Sequence, residues 1–100
     1  MASKIKTKSM LGRCSRYRRV KMELKDTVEM MLSDDYKERF RAEYLQLNIR
    51  FLKLQDMVNN WEHLGFHPTL SRDFYLIQIG IMKAYMRVLE FRARAEGINL

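Results

Sequence analysis

Residues 34–62 read DDYKERFRAEYLQLNIRFLKLQDMVNNWE, and their apolar positions fall at Tyr36, Phe40, Tyr44, Leu47, Phe51, Leu54, Val58 and Trp61. The steps between them are 4, 4, 3, 4, 3, 4 and 3, a heptad seam that only a helix can line up on one face. No Gly or Pro interrupts the stretch, so the spacing predicts one helix over residues 34–62, about 43 Å long at 1.5 Å per residue. Ser33, Asp34 and Asp35 each suit its N-terminal cap, and Asp35 with Glu38 fits a capping box. Gly65 is expected to provide a left-handed stop, and Pro68 forbids continuation.

Downstream, residues 63–70 read as a bend and Ser71 as the cap of a second long helix. Its seam is Tyr75, Ile79, Met82, Met86, Leu89 and Ala93, with Arg92 and Arg94 near the last carbonyls and Gly97 just beyond. Two long helices with matching heptads and a short link make an antiparallel αα-hairpin. Phe40, Tyr44, Leu47, Phe51 and Leu54 should meet Ile79, Met82, Met86 and Leu89 across it. Upstream, residues 23–32 place Leu24, Val28, Met31 and Leu32 at helical spacing, a short amphipathic helix that needs the hairpin for support.

The seams leave apolar residues over. Phe74, Ile77, Ile81, Tyr85 and Val88 form a second stripe on the last helix, and Leu45, Ile49 and Leu52 form another on the first. A short helix cannot cover both, and apolar area on that scale marks an interface. The stripe at Phe74, Ile77, Ile81, Tyr85 and Val88 is therefore expected to join copies of the chain into a homo-oligomer.

Composition bounds the class. A chain of 100 residues with 47% hydrophobic and 31% charged residues is a single folding domain. With only 4 Gly and 1 Pro it lacks the turns of a many-stranded sandwich or barrel, so the fold class is all-α. No apolar run reaches the roughly 18 residues of a transmembrane helix, and the basic N-terminus lacks the apolar core of a signal peptide.

The net charge of +7 is unevenly spread. Residues 1–22 hold Lys4, Lys6, Lys8, Arg13, Arg16, Arg18, Arg19 and Lys21 and no acid; residues 23–100 hold the other 11 of the 19 bases and all 12 acids. The chain thus divides into a basic tail, expected to be disordered, and a nearly neutral helical domain over residues 23–100. Those eight bases, with Tyr17 as a stacking residue, are the pattern of a nucleic-acid-binding arm; a solvated tail has the same composition. Met22 could equally open the functional chain.

Reactive chemistry is sparse. His63 and His67 have chelating spacing, but Gly65 between them and Pro68 after them break the helix that chelation needs, and no third ligand is near, so no metal is expected. Asp34, Asp35 and Glu38 are explained by capping. Cys14 stands among four arginines that would lower its pKa, without the fixed base and pocket a catalytic thiol requires. No phosphate loop, nucleophile elbow or metalloprotease motif is present, so neither a cofactor nor an enzymatic activity is expected. The eight methionines suit either core gap-filling or an adaptable binding surface. Arg39, Arg41, Arg50, Arg87 and Arg92 alternate with Tyr36, Tyr44, Tyr75 and Tyr85, residue types that a phosphate-and-base pocket would use and that any helix flank also carries.

The run from Val28-Glu29-Met30-Met31 through Asp34-Asp35-Tyr36-Lys37-Glu38-Arg39-Phe40 to Ala42-Glu43-Tyr44 has a family look. It continues in Ile49-Arg50, Leu54, Met57-Val58, Trp61, Pro68, Gln78, Met82, Tyr85, Leu89-Glu90 and Arg92-Ala93. Together these resemble the small helical-hairpin proteins of tailed phages and prophages, a family named after a gene product of a crAss-like phage, over roughly residues 27–98. The resemblance implies a context, the cytoplasm of an infected or lysogenic bacterial host, rather than a mechanism. Short phage proteins of this kind commonly act by binding. The expected function is counter-defence, by occluding a host immune protein such as a CRISPR nuclease or by sequestering a signalling nucleotide. The alternative is a nucleic-acid-binding accessory or regulatory protein that uses the tail.

Overall fold

The structure is a computed structural model and describes residues 22–100. A 3-10 turn, Leu24–Thr27, runs into a single helical turn, α1 (Val28–Met31); two long helices follow, α2 (Tyr36–Asn59) and α3 (Arg72–Glu96). A second 3-10 turn, Trp61–His63, lies in the link between them. α2 and α3 pack on each other as the two arms of a hairpin, and the N-terminal segment packs chiefly on α2.

Two apolar clusters close the hairpin. Near its open end, Phe40 of α2 meets Leu89, Ala93 and Ile98, with Tyr44 and Leu47 beside them. Near the bend, Phe51 and Val58 meet Ile79, flanked by Leu52, Leu54, Met57, Tyr75, Met82 and Met86. All but Ile98, Leu52 and Met57 are residues of the two heptad seams, so the spacing that makes the helices also selects most of their contact.

Side chains settle both ends of α2, and the backbone settles both ends of α3. Asp35 caps α2: its carboxylate accepts from Lys37 N at 3.0 Å, while its own N–H donates to Ser33 Oγ at 3.0 Å. Glu38 does not reach back to complete a capping box; it pairs with Arg41 at 2.6 Å. α2 stops at Asn59, short of residue 62, because Asn60 turns its side-chain amide onto Asp56 O at 2.8 Å. Gly65 plays no part in that stop, since Gly97 alone among the described glycines has positive φ, at 73°. Ser71 holds the cap position of α3 through its backbone, accepting from Phe74 N at 3.1 Å, without a side-chain cap bond. At the other end Gly97 turns the chain left-handed, and Ile98 N donates to Ala93 O at 2.8 Å. That is a Schellman motif, and it drops Ile98 into the cluster beside Ala93.

The N-terminal segment departs from expectation. Its buried residue is Thr27, with no exposed surface, while Val28, Met31 and Leu32 are 41, 44 and 73% exposed. Over Leu24–Thr27 the chain is a 3-10 turn, with three residues per turn, so the face calculated for an α-helix is rotated outward. Thr27 Oγ1 donates to Leu24 O at 2.7 Å and accepts from Gln46 Nε2 at 2.8 Å, which satisfies the buried hydroxyl and docks the segment on α2. Ala42 and Ile49, on the same α2 face as Gln46, are buried there and belong to neither hairpin cluster.

Candidate functional site

Most of the Arg and Tyr residues that alternate along the hairpin are spent on holding it. Tyr36 OH donates to Glu96 at 2.9 Å and accepts from Arg92 at 2.8 Å, and the Arg92 guanidinium lies 4.9 Å from the centre of the Phe40 ring. Tyr44 OH donates to Glu90 at 2.6 Å, and Tyr85 OH donates to Glu43 on the opposite edge. Burial, reinforced by the Glu90 bond, pushes the Tyr44 phenol up to about 12; the Glu43 bond, with some burial, raises Tyr85. Arg41 Nε donates to Asn99 O at 2.6 Å, and Arg39 donates to Ser33 O at 2.8 Å. These groups are engaged in holding the fold.

Arg50 is different. It lines a groove of about 400 Å³ shared by three segments: Leu24 from the first 3-10 turn, Arg50, Lys53, Leu54 and Met57 from α2, and Gln78 and Met82 from α3. On α2 the four positions are i, i+3, i+4 and i+7, one face of a helix, and on α3 the two are i and i+4. The hairpin register brings these two faces edge to edge. Leu24, Leu54, Met57 and Met82 supply the apolar lining. Arg50, Lys53 and Gln78 are exposed, and among the described residues neither cation has an acidic partner within ion-pair distance.

The volume falls within the ordinary range for small-molecule sites, roughly 300–1,000 Å³, though the groove is shallow and open to solvent along its length. Methionine side chains adapt their shape and stack well against flat rings. Two cations three residues apart suit a phosphate, Arg through paired donors and Lys as a point charge. A carboxamide at the rim can both donate and accept. The groove therefore matches a ligand with one flat apolar part and one anionic part.

A second hollow, of about 310 Å³, lies at the open end beside Tyr44, Glu90, Ala93, Arg94, Ile98, Asn99 and Leu100. Its most buried polar pair, Tyr44 and Glu90, is already satisfied.

The residues singled out in the sequence fall as follows. Lys4, Lys6, Lys8, Arg13, Cys14, Arg16, Tyr17, Arg18, Arg19 and Lys21 lie outside the described residues. Phe74, Ile77, Ile81 and Val88 are 52–65% exposed on α3. Tyr85 sits at the edge of that stripe, turned toward α2 by its bond to Glu43. Phe91, 67% exposed, continues the stripe one heptad step beyond Val88, a signal the spacing already contained. His63 ends the second 3-10 turn and His67 lies in the following loop, both exposed. No group of three or more His, Cys, Asp or Glu able to hold a metal ion occurs among the described residues, and no described helix is long and apolar enough to cross a membrane. Arg50, Lys53 and Gln78 were not distinguishable by sequence as a group, since only the register across the hairpin unites them.

The family model described as Sequestin matches residues 34–95, which spans α2, the bend and nearly all of α3. No curated protein and no solved structure matches the chain. The chain belongs to the Sequestin family.

Proposed function

We propose that this Sequestin-family protein works by binding alone: it holds a small anionic ligand of the nucleotide class and keeps it from its receptor. In a phage or prophage setting, such as the sequence resemblance implies, the effect is counter-defence by depletion of a host signalling nucleotide. The observation that carries this reading is the groove, with Arg50, Lys53 and Gln78 set over Leu54, Met57 and Met82. Phosphate goes to the cations and the base to the methionine-lined floor. The family's name accords with a sequestering role. No catalytic step is assigned, so a bound nucleotide should leave unchanged.

Calorimetry with a panel of linear and cyclic mono- and dinucleotides tests it. At least one should bind, Arg50→Ala with Lys53→Ala should weaken it by tenfold or more, as the loss of charge-assisted phosphate bonds implies, and denaturation should release it intact. A panel without a binder, or a ligand recovered as product, overturns the reading.

The eight bases and no acids of residues 1–22 favour a second reading, a nucleic-acid-binding protein. Salt dependence separates the two. Binding that falls steeply with salt and is lost from a chain beginning at Met22 belongs to the tail; nucleotide binding that survives this truncation belongs to the groove.

A further inference from the structure

α3 carries two heptad seams, and the hairpin uses one. The other runs Phe74, Ile77, Ile81, Ala84, Val88 and Phe91, with steps of 3, 4, 3, 4 and 3. Its five large residues are 52–67% exposed. The steps, and nearly the residue sizes, read the same backwards. Phe74 mirrors Phe91, Ile77 mirrors Val88 and Ile81 mirrors Ala84, about a centre between Met82 and Lys83. A seam with that symmetry is complementary to itself run in the opposite direction.

We propose that two copies of the chain pair through α3, antiparallel, about a two-fold axis at that centre. The layers are then Phe74 on the partner's Phe91, Ile77 on the partner's Val88, and Ile81 on the partner's Ala84, large against small where the helices come closest. Charge fixes the direction. Asp73, Gly80, Arg87 and Arg94 occupy one edge of the seam, seven residues apart, and Gln78, Tyr85 and Arg92 the other. About that centre, antiparallel pairing sets Asp73 within two residues of level with the partner's Arg94, about 3 Å along the axis, twice per dimer, and sets Gly80 beside the partner's Arg87, where the surface is open. Parallel pairing would instead bring Arg87 against the partner's Arg92, two like charges. Among the described residues neither Asp73 nor Arg94 is in an ion pair that would compete. The dimer does not rest on the nucleotide reading: none of the six seam residues lines the groove, and the two surfaces adjoin at Gln78.

Sedimentation equilibrium on the full chain at tens of micromolar should give twice the chain mass of 12.1 kDa. Ile81→Asp should give the monomer mass with an unchanged far-UV circular dichroism spectrum. A wild-type monomer at that concentration overturns the proposal, whatever else binds the stripe. Direction is read by disulfide trapping in a Cys14→Ser chain. Phe74→Cys combined with Phe91→Cys should cross-link copies on oxidation. Either alone should not, since two copies of residue 74 stand about 25 Å apart in the antiparallel pair. Single variants that cross-link as readily as the double overturn the antiparallel arrangement. Asp73→Arg should weaken the dimer several-fold, and adding Arg94→Asp should restore it; no change on either substitution removes the charge argument.

Discussion

α2 and α3 are almost equal in length, 24 and 25 residues, yet their surroundings are opposite. α2 lies in the middle. One face meets α3 through Phe40, Phe51 and Val58, and another, which carries Gln46, meets the N-terminal segment at Thr27. α3 is the more apolar helix but buries only Ile79, Leu89 and Ala93, and turns Phe74, Ile77, Ile81, Val88 and Phe91 to solvent. The comparison teaches that apolar content measures how much surface a helix can bury, not how much its own chain covers. What remains uncovered on α3 is a surface for another molecule.

The largest expected effects test that contrast directly. Phe51→Ala, in the bend-side cluster, should cost about 3–5 kcal/mol in urea unfolding. Phe91→Ala should cost within about 0.5 kcal/mol when measured in the monomeric Ile81→Asp background, where only the chain's own fold is read. Equal costs would mean that α3 is covered on both faces by its own chain, and the contrast would fail.

The second test concerns the other cover of α2. Thr27→Val removes the hydroxyl that bonds Leu24 O and leaves Gln46 Nε2 without its oxygen partner, so unfolding should be easier by about 1–3 kcal/mol. Val28→Ala next to it, at an exposed position, should change stability by less than about 0.5 kcal/mol. A reversal would place the apolar residues, not the threonine, against α2.

Those two substitutions also mark where the sequence was readable. The seams at 36–61 and 75–93 were legible because, in a helical hairpin, the residues that set the period are the residues that touch. The N-terminal segment was not. A buried Thr bonded to a Gln has the composition of a surface, and a 3-10 turn moves Val28, Met31 and Leu32 off the face that α-helical spacing assigns them. Gly65 was the obvious breaker, but Asn60 stops the helix first by folding its amide onto Asp56. The groove was the least legible part. Arg50 and Lys53 share a helix face, but Gln78, Met82 and Leu24 join them only through the register of α3 and the docking of the segment.

A smaller effect sharpens the comparison at the ends of the two helices. Gly97 closes α3 with φ of 73° and no neighbour within 4 Å of an added Cβ, so Gly97→Ala should cost about 1 kcal/mol from backbone strain alone. Asn60 closes α2 at φ of −108°, where Asn60→Ala carries no such strain and loses only its exposed side-chain bonds.

The smallest effect is a pH dependence. Tyr44 bridges α2 to Glu90 of α3, and its phenol is raised from 10.0 to about 12 in the fold. The unfolded chain therefore releases that proton first. The contribution is fully present below pH 10 and is lost as pH rises toward 12. Unfolding measured across that interval should decline less steeply in Tyr44→Phe than in the wild type; an unchanged slope would remove Tyr44 from the clasp.

The bend has a consequence for the order in which the hairpin assembles. The rings of Trp61 and Tyr75 meet at a 50° tilt with centroids 6.0 Å apart and are separated by 14 residues, whereas Tyr36 and Glu96 at the open end are separated by 60. The difference is just over two doublings of loop length, about 1.3 kcal/mol of closure entropy in favour of the bend. On that ground contact between the arms should start beside Trp61 and proceed outward, each layer shortening the loop that the next must close. The same order run backwards makes Tyr36 and Glu96 the first pair to open, so backbone amides at the open end exchange with solvent before those at the bend.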